Sequence, residues 1–71
     1  MTSQEIRSLE DKLCRFLRCG PDVCWVCELE DGRISVGALR RAEFGYQDYN
    51  GYGEDFDQAY GDLRAKMRAA R

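Results

Sequence analysis

Hydrophobic and polar positions along this chain follow a helical period, then a period of two, then a helical period again. In the first stretch Ile6, Leu9, Leu13, Phe16 and Leu17 recur at the spacing of one helical face, with Arg7, Asp11, Lys12, Arg15 and Arg18 on the other. The outer face of this helix is therefore mildly basic. Thr2 followed by Glu5 has the capping-box pattern, in which a hydroxyl and a carboxylate each satisfy an orphan N–H of the first turn. Gly20-Pro21 is a stop signal, because Gly tolerates the left-handed conformation and Pro cannot continue the helix.

From Val23 the period becomes two. Val23, Trp25, Cys27 and Leu29 alternate with Cys24, Val26, Glu28 and Glu30, and Asp31-Gly32 reads as a two-residue hairpin turn. That turn pairs Leu29 with Ile34, Cys27 with Val36 and Trp25 with Ala38, and sends Glu28 and Glu30 to the opposite face. Segment 43–48 can form a third strand weakened by Gly45, and Tyr49-Asn50-Gly51-Tyr52-Gly53 reads as a loop. Asp55, with Gln58 three residues on, caps a second helix whose apolar stripe is Phe56, Ala59, Tyr60, Leu63, Met67 and Ala70. Gly61 inside it costs about 1 kcal/mol relative to Ala, so packing must hold this helix. The expectation is a small single α+β domain over residues 1–71, in the order α-β-β-(β)-α, with both helices on one face of a short antiparallel sheet.

Length limits what such a domain can do. A chain of 71 residues buries only about 60% of its unfolded surface, which leaves little room for a desolvated active site. No apolar run approaches the roughly 20 residues of a membrane span, and the N-terminus lacks the apolar core of a signal peptide. The expected location is the cytoplasm.

The chain has no His and four Cys, so no thiol or hydroxyl has an imidazole partner, and no phosphate-cradling glycine motif occurs. The expectation is a protein without enzymatic activity. Cys14, Cys19, Cys24 and Cys27 lack the two close pairs of a tetrathiolate zinc site, and the strand period sends Cys24 and Cys27 to opposite faces. They read as reduced, partly buried thiols, with a disulfide and zinc as the alternatives; no cofactor and no metal ligand is expected.

Charge changes the picture once it is mapped. The formal net charge is −2, yet residues 42–63 carry six acidic and no basic side chains while residues 64–71 carry four basic and no acidic ones. Part of this complements the dipole of the second helix: Asp55 and Asp57 at its start, Arg64, Lys66, Arg68 and Arg71 toward its end. Phe56 and Tyr60 read as core. The remainder is Glu28, Glu30 and Asp31 on the hairpin, and Tyr46, Asp48, Tyr49 and Tyr52 around the loop. Carboxylates at i and i+2 on one strand face lie about 6.7 Å apart, on the scale of neighbouring phosphates. Tyrosines beside them suit an Arg-rich partner surface. Direct nucleic-acid binding is disfavoured, since it needs clustered Lys and Arg.

The element order resembles a double-stranded-RNA-binding domain, and Ala65-Lys66-Met67-Arg68-Ala69-Ala70 suits that domain's last helix. The family opens this helix with a lysine-rich motif, where this chain has Glu54-Asp55-Phe56-Asp57, so the RNA-binding activity does not carry over. Residues 51–67, GYGEDFDQAYGDLRAKM, resemble the pattern of HicB-type antitoxin domains, which implies as an alternative an antitoxin-like protein-binding regulatory module. As a whole, the small size, acidic tyrosine-rich surface and strand-plus-helix layout resemble phage-type anti-CRISPR inhibitors. That likeness implies a DNA-mimicking inhibitor, a monomer or weak dimer, that occupies a basic nucleic-acid-binding groove on a Cas effector subunit. On it the partner-binding residues are Glu28, Glu30, Asp31, Asp48, Glu54, Asp55 and Asp57, with Tyr46, Tyr49 and Tyr52 as packing contacts.

Overall fold

A computed structural model describes residues 1–20 and 23–69. The order is α1 (Ser3–Leu17), β1 (Cys24–Glu28), β2 (Ile34–Ala42), β3 (Gly45–Gly53) and α2 (Phe56–Ala69). The strands form one antiparallel sheet in sequence order, with both helices on one face, as the α+β reading expects. Among the described residues no helix is long and apolar enough to cross a membrane.

The capping box at the start of α1 forms as the sequence implies. The Thr2 hydroxyl accepts from the Glu5 N–H at 3.1 Å, and the Glu5 carboxylate accepts from the Thr2 N–H at 3.2 Å. The helix ends earlier than the Gly20-Pro21 signal implies: Arg18 takes the left-handed conformation at φ 54° and its N–H bonds the Cys14 carbonyl. Pro21 lies outside the described residues, as does Ala70 of the α2 stripe. At the start of α2, Asp55 Oδ1 accepts from the Gln58 N–H at 2.9 Å, while Gln58 Oε1 reaches back to the Glu54 N–H at 3.0 Å. The α2 stripe packs inward, with Phe56, Ala59 and Leu63 buried and Tyr60 and Met67 partly covered. Gly61 is exposed, and a Cβ there would meet nothing within 4 Å. Gly61→Ala should therefore stabilise the protein by about 1 kcal/mol through helix propensity alone. The check is a higher urea midpoint at unchanged m.

The β1–β2 register differs from the expected one by a single residue. Cys24 faces Ala38, Val26 faces Val36 and Glu28 faces Ile34. A two-residue type I′ turn would need positive φ at Asp31 as well as Gly32, yet Arg18 is the one non-glycine with positive φ among the described residues. The connection is instead the three residues Glu30-Asp31-Gly32. The Leu29 N–H bonds the Arg33 carbonyl at 2.8 Å, the Gly32 N–H bonds the Leu29 carbonyl at 3.0 Å, and Gly32 sits at φ 87°. One extra turn residue moves every side chain of β1 to the other face. Cys24 and Val26 are buried under the helices, while Trp25 lies over Gly37 on the outer face and Cys27 is exposed. Glu28 shares the inner row with Cys24 and Val26, which corrects the expected placement of Glu28 and Glu30 together on one outer strand face.

Segment 49–53, expected to be a loop, is the second half of β3, paired residue for residue with β2. Its glycines do not mark irregular backbone. Gly51 and Gly53 fall on the inner face, where α2 comes so close that a Cβ on Gly51 would stand 2.2 Å from the Ala59 carbonyl oxygen and 2.4 Å from the Leu63 nitrogen. The helices also blunt the free sheet edges. Glu10 of α1 accepts from the Val26 N–H at 3.4 Å, Asp62 of α2 accepts from the Tyr52 N–H at 3.0 Å, and Lys66 donates to the Asn50 carbonyl at 2.8 Å. Leu13, Val36 and Leu63 are fully buried at the centre of the core.

Candidate functional site

The register sorts the charged residues by end of the molecule. Glu28 lies opposite Ile34, and Ile34 opposite Gly53, so the β1–β2 turn and the junction from β3 into α2 share one end of the sheet. Glu28, Glu30 and Asp31 of the first and Glu54, Asp55 and Asp57 of the second therefore gather there, from segments more than twenty residues apart in sequence. α1 brings its N-terminus to the same end, where the Met1 ammonium meets Glu28 Oε1 at 2.7 Å. The hydrogen bond to Glu28 raises the pKa of that ammonium, so the contact is fully present below the ordinary amine pKa and is lost as pH rises through the raised one.

These carboxylates are not equivalent. Asp31 is bound within its own turn, at 3.0 Å from the Arg33 N–H and 2.7 Å from Arg33 Nε, and these contacts hold its pKa down. Asp55 caps α2, and Asp57 stands 3.9 Å from Lys12 of α1. Among the described residues, the Glu30 and Glu54 carboxylates have neither an ion pair nor a hydrogen bond. They are the two carboxylates of this end with their charge fully available to a partner.

The predicted tyrosines do not converge on the acidic end. Tyr49 is on the inner face and partly covered by the core. Tyr52 is on the outer face, its ring 4.9 Å from Lys66 Nζ. Tyr46 and Asp48 lie toward the opposite end. β1 pairs with β2 only as far as Ala38, so residues 39–48 project as a two-stranded arm in which Leu39 faces Asp48 and Arg41 faces Tyr46. Phe44 at its tip is 94% exposed and Tyr46 is 72% exposed. Phe44, expected as part of a third strand, is not among the expected contact residues. Glu43 and Phe44 form the two-residue turn between the paired residues Ala42 and Gly45, with Gly45 at φ 111°.

The end bearing the arm is basic. A groove of about 480 Å³ is lined by Phe16, Leu17, Leu39 and Met67 together with Arg40, Arg64 and Arg68. Arg64 donates to the Tyr60 hydroxyl at 3.0 Å, and none of the three arginines forms an ion pair among the described residues. The domain is thus electrically polar along its length, acidic at the turn end and basic at the arm end.

A feature the sequence reading did not assemble is a cluster of thiols. The Sγ atoms of Cys14, Cys19 and Cys24 lie within 4.8 Å of one another, with Cys14 and Cys24 2.7 Å apart. Their even spacing, C-x4-C-x4-C, carries the last turn of α1, the following turn and the first residue of β1 to one point. Cys27 is exposed on the other face of the sheet, so the expectation that Cys24 and Cys27 part company holds.

Comparison with family models, with curated proteins and with solved structures finds no match to this chain.

Proposed function

We propose that this chain is a small DNA-mimicking inhibitor, which inserts its acidic end into the basic nucleic-acid-binding groove of a partner protein. The supporting observation is the convergence of Glu28, Glu30, Asp31, Glu54, Asp55 and Asp57, drawn from two distant segments, at one end of the sheet. A groove evolved for phosphates presents clustered Lys and Arg in a region of positive potential, and a compact acidic end meets the same field. The opposite, basic end orients the approach, since a molecule with this charge separation enters a positive groove acidic end first. The likeness to anti-CRISPR inhibitors makes a Cas effector subunit the partner. No catalytic step is required of the chain.

The test is competition. A partner captured from host lysate and identified by mass spectrometry should release duplex DNA in a gel-shift assay as this protein is added, reaching completion near one chain per DNA site, and added salt should weaken the inhibition. The chain alone should not shift the same DNA. A direct shift by the chain would overturn the proposal and assign function to the arginine groove. Rescue of growth on co-expression with a neighbouring reading frame, with DNA binding by the captured partner unaffected, would replace it with the antitoxin-like reading.

A further inference from the structure

We propose that Cys14, Cys19 and Cys24 form a trithiolate site for one soft, thiophilic metal ion, zinc(II) or copper(I). Soft thiolate donors select these ions, and three ligands with an open position define a site that takes water or an exogenous donor as its remaining ligand. A metal–sulfur bond of about 2.3 Å places thiolates about 3.8 Å apart around a four-coordinate ion. The observed thiols bracket that spacing, with one pair at 2.7 Å and the whole set within 4.8 Å. The change needed in each separation, about 1 Å, is on the scale of a side-chain rotation. A disulfide between Cys14 and Cys24 would account for only two of the three sulfurs.

The surroundings suit an anionic complex. Zinc(II) displaces one proton from each of three thiols, giving a tris-thiolate of net charge −1; copper(I) in the same set gives −2. Cys19 also lines the groove that carries Arg40, Arg64 and Arg68, whose charges favour either product and whose opening gives the ion a route in. Cys24 is buried and Cys14 and Cys19 are half-buried, so the sulfurs are shielded yet reachable. A thiol must lose its proton to bind a metal ion. Metal binding must therefore release protons and weaken as pH falls. It would also tie the end of α1 to the start of β1, adding to the stability of a domain with a thin core.

The experiment uses the full chain, reduced and treated with a chelator, then titrated separately with zinc(II) and with copper(I) against a chromophoric competitor. Expected are one ion per chain, release of about three protons per ion in weak buffer, and protection of every thiol but Cys27 from alkylation. Cobalt(II) substitution should give intense sulfur-to-metal charge transfer. Cys27→Ser should bind as the parent does, while Cys19→Ser, which alters a half-buried thiol, should lose at least about 100-fold in affinity. The alkylation and proton measurements need no variant, so they stand even if Cys24→Ser fails to fold. Failure of both ions to bind stoichiometrically overturns the proposal. So does unchanged affinity in Cys19→Ser, or binding that leaves the three thiols open to alkylation.

Discussion

Gly51→Val should remove most of this domain's stability. The strand β3 and the helix α2 touch backbone to backbone at this point: a Cβ on Gly51 would stand 2.2 Å from the Ala59 carbonyl oxygen and 2.8 Å from the Leu63 Cα. Those atoms belong to a regular helix and cannot rotate aside as a flexible side chain would. The helix must lift, and it carries Phe56, Ala59 and Leu63, a third of the buried apolar residues among those described. Overpacking that a core can partly absorb costs about 1–3 kcal/mol, and a rigid backbone contact lies at or above the top of that range. A domain of 71 residues has roughly 4–10 kcal/mol to lose. The expected result is a urea midpoint near zero, or a chain unfolded at 25 °C by circular dichroism. Gly61→Ala on the same helix moves the other way, so the pair separates helix propensity from helix docking. A Gly51→Val protein within 1 kcal/mol of the parent would mean that α2 does not seat on this strand.

The same glycines explain where the sequence misleads. Gly51 and Gly53 count against a strand because they offer no side chain to pack and weaken local preference, and on local grounds 49–53 is a loop. Their role becomes visible only when α2 lies across the sheet, which is a tertiary fact. The hairpin register failed for a similar reason. Asp31-Gly32 fits a two-residue turn, and the resulting apolar row of Trp25, Cys27 and Leu29 is self-consistent. The alternative row of Cys24 and Val26 is shorter and smaller, yet the turn geometry and the helices above it select that row. Helices α1 and α2 were legible because capping residues and apolar stripes are local. The thiol cluster was not, because the approach of the end of α1 to the start of β1 is a tertiary fact that spacing alone does not show. The acidic end was legible as composition, in that the right residues stood out. The register was needed to show that Glu54 and Glu30 share an end while Tyr46 and Asp48 do not.

That separation yields the prediction with the largest functional effect: Glu30→Lys combined with Glu54→Lys should abolish competition with DNA without unfolding the domain. Neither carboxylate has an ion pair or a hydrogen bond among the described residues, and both are exposed. Substitutions at such positions usually change stability by no more than about 0.5 kcal/mol. Glu28 is the wrong residue for this purpose, because it anchors the Met1 ammonium at 2.7 Å and its loss disturbs α1 as well. In a basic groove, each reversal replaces an attraction with a like-charge contact, and such contacts cost several kilocalories per mole. Inhibition should fall by at least about 100-fold, equivalent to 2.7 kcal/mol, with the thermal transition unchanged. Reversal of Glu43 and Asp48 changes the protein's charge by the same amount at the arm end, and should leave competition nearly intact. If both double variants lose inhibition equally, total charge governs the effect and the acidic end is not the binding surface. If only the arm variant loses it, the contact runs through Phe44 and Tyr46, and the partner recognises an aromatic hairpin in place of a mimic of DNA.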